Sequence, residues 1–90
     1  MQIKDLETRF EDAVAIANTM TQSNLPQDVQ LRLYAFYKQA TLGTIDTRIS
    51  PNYDLRNAFK TNAWMQISHL SRDEAKELYI ESILSLANKK

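Results

Sequence analysis

The sequence predicts an all-helical protein of four helices, and three observations carry that expectation. One glycine and two prolines in 90 residues leave little material for turns. Strong helix formers (Ala, Leu, Gln, Glu and Lys) are abundant throughout. Apolar residues recur every three or four positions in four separate stretches, the spacing of a single buried helix stripe.

The first helix is predicted from about Asp5 to Met20, with Leu6, Phe10, Ala13, Ala17 and Met20 as its stripe. Glu7, Glu11 and Asp12 lie toward its positive end, where the macrodipole favours acids. Thr21-Gln22-Ser23-Asn24-Leu25 reads as a polar connection, and Pro26 suits the first turn of the second helix, where its missing N–H costs nothing. That helix runs to Thr41 or Leu42, with Gly43 as its left-handed stop. It has two stripes: Val29, Leu33, Phe36 and Ala40 for the core, and beside them Leu31, Tyr34 and Lys38. The second stripe is amphipathic, which suits a ligand or a neighbouring helix.

Thr44 to Asp54 is the longest irregular stretch, with Asp46, Ser50, Pro51 and Asn52 as turn formers. Loops of that length in small domains are often functional. The third helix, Leu55 to His69, carries Phe59, Ala63, Ile67 and Leu70 on one stripe, with Lys60 and Trp64 beside it. Ser71-Arg72-Asp73-Glu74 is a capping-box pattern opening the fourth. Ala75, Leu78, Tyr79, Ile83 and Leu86 form its stripe, and Lys89 and Lys90 sit at its negative end.

Ninety residues make one domain, 1–90, near the lower limit for a core without staples. With no cysteine there is no disulfide, thiol nucleophile or thiolate metal site. The charged start Met1-Gln2-Ile3-Lys4-Asp5-Leu6-Glu7 lacks the apolar centre of a signal peptide, and no apolar run approaches bilayer length. A soluble, cytoplasmic chain without stable membrane insertion is expected. Eleven basic and eleven acidic side chains cancel, against the basic excess that nucleic-acid binding requires. A small local cluster holding one phosphorylated ligand remains compatible with that balance. The start at Met1 and the charged end at Lys90 favour a stand-alone chain, and a monomer is expected.

Enzyme chemistry finds no support. His69 is the only histidine, and a lone imidazole at a helix boundary is no metal site. Helix end and helix cap account for Ser68 and Ser71 beside it. A single glycine excludes a glycine-rich phosphate loop. The richest stretch is Leu33-Tyr34-Ala35-Phe36-Tyr37-Lys38-Gln39-Ala40-Thr41. Tyr34 and Lys38 are four apart, hence one turn apart on the same helix face. On spacing alone the commoner reading is a core helix with a solvated lysine and half-buried tyrosines. The sharper one adds Lys60 and Tyr79 from later helices. Ammonium and phenol groups both donate to phosphate, and aromatic faces stack on a nucleobase. Periodicity alone does not bring these residues together.

Tyr34-Ala35-Phe36-Tyr37-Lys38-Gln39-Ala40-Thr41-Leu42-Gly43 resembles the Tyr-x-x-Tyr-Lys-Gln-Ala-Thr-x-Gly signature of the acyl-CoA-binding protein family at every fixed position. Lys60 with Trp64, Tyr79 fifteen residues further on, and Phe10-Glu11-Asp12-Ala13 extend the resemblance from Phe10 to Leu86. It implies an up-down-down-up four-helix bundle that binds medium- to long-chain acyl-CoA one-to-one, without chemistry and without a cofactor. The positions of Tyr34, Lys38 and Lys60 would hold the 3′-phosphate. Tyr37 would lie against the adenine, and Tyr79 would complete the nucleotide pocket. Ala35, Phe36 and Arg56 join the same acyl-CoA-binding set. By analogy Ala13, Val14, Met20 and Leu31 border an apolar groove for the acyl chain. The chain departs from the family at Ile49-Ser50-Pro51-Asn52-Tyr53, where a Pro-Gly segment is common, and in the connection before Pro26. Thr61 replaces a second tryptophan, and Asn18 stands in place of a basic residue. A carrier and buffer of acyl-CoA is therefore the leading functional expectation. The alternatives are a helical interaction module and an accessory acyl-CoA-binding domain of a larger lipid-metabolism protein.

Overall fold

The computed structural model describes residues 5–43 and 55–88, with residues 22 and 55–57 described by their backbone alone. The stretch Thr44 to Asp54 and the tail Lys89-Lys90 lie outside the described residues.

Helix α1 spans Leu6–Thr19. The Asp5 carboxylate caps it, accepting the Thr8 N–H at 2.8 Å, and that bond holds the Asp5 pKa below the usual carboxylate value. Phe10, Ala13 and Ala17 are buried, with Leu6 and Met20 packed beside them, as the three-to-four spacing predicts. The connection contains a short 3₁₀ turn, Gln22–Asn24, closed by the Asn24 N–H on Thr21.

Helix α2 spans Gln27–Leu42. Pro26 is its cap rather than part of its first turn: its backbone is extended, and its carbonyl accepts the Gln30 N–H at 3.0 Å. Gly43 ends the helix at φ +79, donating its N–H to the Gln39 carbonyl. A side chain there would be strained twice over, because a Cβ would also meet the Arg72 guanidinium at 3.0 Å.

Helix α3 spans Leu55–Gln66 and stops three residues short of His69. The N–H groups of Ile67, Ser68 and Leu70 each reach the carbonyl three residues back, and the Ser68 hydroxyl donates to Met65 at 2.8 Å. That tighter winding ends the α-helix. Helix α4 spans Arg72–Asn88 behind a complete capping box. The Ser71 hydroxyl accepts the Glu74 N–H at 3.0 Å, and the Glu74 carboxylate accepts the Ser71 N–H at 2.9 Å.

Helix α4 packs on both α1 and α2, and α3 packs on α2. Contacts give the chain directions. Lys76 pairs with Glu7, and Arg9 with Glu77, so α1 and α4 run the same way. Lys60 meets Tyr34 while Trp64 meets Gln39 and Gly43, so α2 and α3 also run parallel. Gln39 near Leu70 and Tyr37 near Tyr79 set α2 against α4. The order is up-down-down-up. Being packed on two sides, α4 buries Ile80 as well as Ala75, Tyr79 and Ile83. The exposed α1–α4 ion pair Arg9–Glu77 is worth about 1 kcal/mol at most. The core holds the bundle: Ile83 is fully buried, and truncating such a side chain costs about 2–5 kcal/mol.

Candidate functional site

Five of the eight expected site residues, Tyr34, Tyr37, Lys38, Lys60 and Tyr79, lie near one another where α2 faces α1, α3 and α4. The Tyr34 ring is the focus. The Lys38 ammonium lies 5.6 Å from its centroid and the Lys60 ammonium 5.2 Å. One turn of α2 brings the first lysine, and the parallel packing of α3 on α2 brings the second. Neither lysine forms an ion pair with a described residue. Two cations on one ring repel each other, and cation–π attraction of about 0.5–1 kcal/mol apiece offsets this only in part. Such a pair favours an anion.

Beside Tyr34, three rings from three helices make an aromatic cluster. Phe10 lies 5.3 Å from Tyr79 and 6.1 Å from Tyr37, and the two tyrosines are 5.9 Å apart. Tyr79 is the buried base of the cluster, and Tyr37 is exposed at its rim. Burial pushes the Tyr79 phenol pKa up, with Tyr37 adding to the shift, so this hydroxyl stays a neutral donor at pH 7. A cavity of about 310 Å³ opens over Tyr34, Tyr37 and Tyr79, walled by Val14, Asn18, Gln30 and Leu33. An aromatic base beside two ammonium groups can take a flat ring that carries a phosphate.

A second cavity, of about 440 Å³, lies between α2 and α3. Leu31, Ala35, Phe36, Phe59, Ala63 and Ile67 line it, with Asp28, Arg32, Asn62 and Gln66 adding polar groups. Phe59, placed on the apolar stripe of α3, is 49% exposed beside this cavity. Ala35 and Phe36 are buried and present their inner faces there. Of the four residues expected to border an apolar groove, Leu31 lines this cavity. Ala13 is 1% exposed within the core, Met20 packs against that core, and Val14 walls the aromatic cavity instead. The side chain of Arg56 lies outside the described residues.

Trp64 has a different part from Lys60. Its indole N–H donates to the Gln39 side chain at 3.0 Å and to the Gly43 carbonyl at 3.1 Å, tying α3 to the end of α2. Gln39, 1% exposed, in turn donates to the carbonyls of Leu70 and Ser68. Two residues of the Tyr-to-Gly segment, Gln39 and Gly43, thus hold the frame, while Tyr34 and Tyr37 line the cavity and Lys38 lies over the Tyr34 ring. Sequence reasoning missed Gln30 and Leu33 as cavity walls, and Phe10 as part of the aromatic cluster. A helical wheel of α1 and α2 places them toward the bundle but does not say which neighbour they meet.

Comparison with known proteins follows the same lines. The sequence profile of the family described as Acyl CoA binding protein matches residues 7–83. Acyl-CoA-binding protein homolog 1 of Caenorhabditis elegans is 34% identical over 80 residues, covering 89% of this chain and 92% of that protein. Acyl-CoA-binding domain-containing protein 5 of Xenopus laevis is 31% identical over 80 residues, which are 86% of this chain but 17% of that protein. This chain therefore spans only about a sixth of the latter's length. Among solved structures, the crystal structure of Oryza sativa Acyl-CoA-Binding Protein 2 superposes with a TM-score of 0.82 at 30% identity, covering 91% of this chain and 88% of that one. The crystal structure of ACBP from Moniliophthora perniciosa superposes with a TM-score of 0.77 at 28% identity, covering 100% of this chain and 89% of that one.

Proposed function

This chain belongs to the acyl-CoA-binding protein family, and we propose that it binds medium- to long-chain acyl-CoA esters one-to-one as a non-enzymatic carrier and buffer. The observation that carries this reading is the convergence of Lys38 and Lys60 on the Tyr34 ring, beside an open aromatic cavity. The 3′-phosphate of the ligand sits between the two ammonium groups. Hydrogen bonds to charged groups contribute about 1.5–3 kcal/mol each. The adenine lies against Tyr37, with Tyr79 beneath it.

The acyl chain occupies the apolar cavity between α2 and α3, which starts one turn from the phosphate site. Each buried methylene contributes about 0.8 kcal/mol before ordering and desolvation costs. Recognition is therefore in two parts: a phosphorylated head selected by charge, and an alkyl chain held by burial. The binding step needs no residue to move a proton or form a bond. An accessory acyl-CoA-binding domain of a larger lipid-metabolism protein would use the same site.

Calorimetric titration with palmitoyl-CoA, CoA and palmitate tests the reading. Palmitoyl-CoA should bind far more tightly than palmitate, whose carboxylate alone leaves most of the polar site unused. Lys38→Ala should weaken palmitoyl-CoA by about 1.5–3 kcal/mol, and should cost much less for the 3′-dephospho ligand, which lacks the partner. Equal affinity for palmitate and palmitoyl-CoA, or an equal penalty on both CoA ligands with the fold intact, would sink it.

A further inference from the structure

The aromatic cavity has two unlike sides. Both ammonium groups lie at the Tyr34 side, whereas the wall formed by α1 and the start of α2 presents two neutral amides, Asn18 and Gln30. Among the described residues no cation lines that wall. Charge at one side and amides at the other suit a ligand whose phosphate and uncharged ring edge lie apart.

The two amides differ in freedom. Gln30 donates through Nε2 to the Leu25 carbonyl at 2.7 Å, which fixes its amide orientation and leaves Oε1 as the acceptor. A flipped amide would set two carbonyl oxygens against each other. Asn18 is exposed, and its side chain has no hydrogen-bond partner among the described residues, so it can turn to suit its ligand. A fixed acceptor beside an adaptable amide matches the edge of adenine, which pairs an exocyclic N–H donor with a ring-nitrogen acceptor. A 6-oxo purine presents an oxygen where adenine presents the amine. Asn18 can rotate to donate to that oxygen, but Gln30 cannot.

We propose that Gln30 and Asn18 read the amine edge of the purine, with Gln30 setting the preference for a 6-amino over a 6-oxo base and Asn18 adding affinity for either. The assignment rests on the acyl-CoA reading of the same site. It gives the neutral residue at position 18 a task of its own: it contacts the base edge rather than a phosphate.

The test compares palmitoyl-CoA with its deaminated analogue, in which hypoxanthine replaces adenine, by calorimetry on the whole chain. Wild-type protein should prefer palmitoyl-CoA by about tenfold or more. Gln30→Met, which keeps the side-chain volume and removes the acceptor, should bring that preference below about threefold, within the range of one modest hydrogen bond. Asn18→Ala should weaken both ligands while leaving the preference in place. The wild-type comparison needs no variant, so a folding defect in Gln30→Met, detected by thermal melting, does not shield the proposal. Equal wild-type affinity for the two ligands, or a preference unchanged in folded Gln30→Met, overturns it. Absence of binding by both ligands overturns the carrier reading along with it, whereas tight but equal binding overturns this assignment alone.

Discussion

Replacing Gln39 by methionine should show how far one amide holds the frame of the site. The substitution keeps the length and volume of the side chain and deletes its polar atoms. The bond to the Leu70 carbonyl, at 2.6 Å, is lost outright, and so is the longer one to Ser68 at 3.3 Å. Trp64 loses one acceptor but keeps the Gly43 carbonyl at 3.1 Å. A neutral hydrogen bond contributes about 0.5–1.5 kcal/mol net, and a buried group left unpaired costs about 1–3 kcal/mol. Water can reach the half-buried Ser68 and Leu70, so the expected loss is about 2–3 kcal/mol rather than the full sum. For a domain of this size that lowers Tm by roughly 10–20 °C.

Gln39→Glu adds a pH signature. A buried carboxylate facing two carbonyls is favoured in its protonated form, so its folded pKa lies above its unfolded value. Its stabilising contribution is then present below the unfolded pKa and lost as pH rises through the folded one. Relative to wild type at the same pH, Gln39→Glu should be less destabilised in mild acid than at neutrality. Urea melts at two pH values measure both effects. A Gln39→Met cost below about 0.5 kcal/mol, the bottom of the range for a single bond, would refute the account of Gln39 as the tie between α2, α3 and α4.

Three further outcomes follow from named contacts. Gly43→Ala should destabilise the fold by at least about 1 kcal/mol from backbone conformation alone, and pairing it with Arg72→Ala should recover the steric part, as read by thermal melting. Ser71→Ala should cost about 0.5–2 kcal/mol as a lost helix cap. The pKa values of Asp5 and Glu74 are lowered by their cap bonds to Thr8 and Ser71, so their contribution is present above the unfolded pKa and lost as pH falls through the folded one. Acid titration of stability should therefore be shallower in Glu74→Gln, which removes the carboxylate that accepts the Ser71 backbone N–H. Tyr79, with its phenol pKa raised by burial, should ionise late in an alkaline absorbance titration, and Tyr79→Phe should remove that late step.

Helix number and order were legible in the sequence, as were the Gly43 stop and the Ser71/Glu74 box, because they depend on local chemistry; Asp5 and Pro26, read as helical residues, prove to be caps. Asp5, Gly43 and the Ser71/Glu74 pair each act within a few residues of their own position. The paired stripes of α2 were legible too: Leu33, Phe36 and Ala40 are buried with Val29 half-buried at their end, and Leu31, Tyr34 and Lys38 are half-buried beside them. What escaped depended on a third element. Ile80 is buried because α4 packs on two helices, and a single-stripe reading has no place for it. Gln39 reads as a polar surface residue until Trp64 and Leu70 are seen to supply its partners. The aromatic cluster required Phe10, Tyr37 and Tyr79 to meet from three helices, and the motif resemblance singled out the two tyrosines when periodicity could not.

The attachment of α3 has a consequence for how the protein moves. Its main packing is on α2, whereas α4 is held by both α1 and α2. Segments with fewer partners open at lower free energy than the core, and amide hydrogen exchange reports that opening. On the proposed reading, a phosphate gripped by Lys38 and Lys60 would act as a removable crosslink between α2 and α3. Each undocking of α3 would then have to release the ligand first. Exchange protection gained on binding should concentrate in α3 and leave α4 little changed. The apparent affinity would then be set in part by the fraction of unliganded molecules in which α3 is already docked.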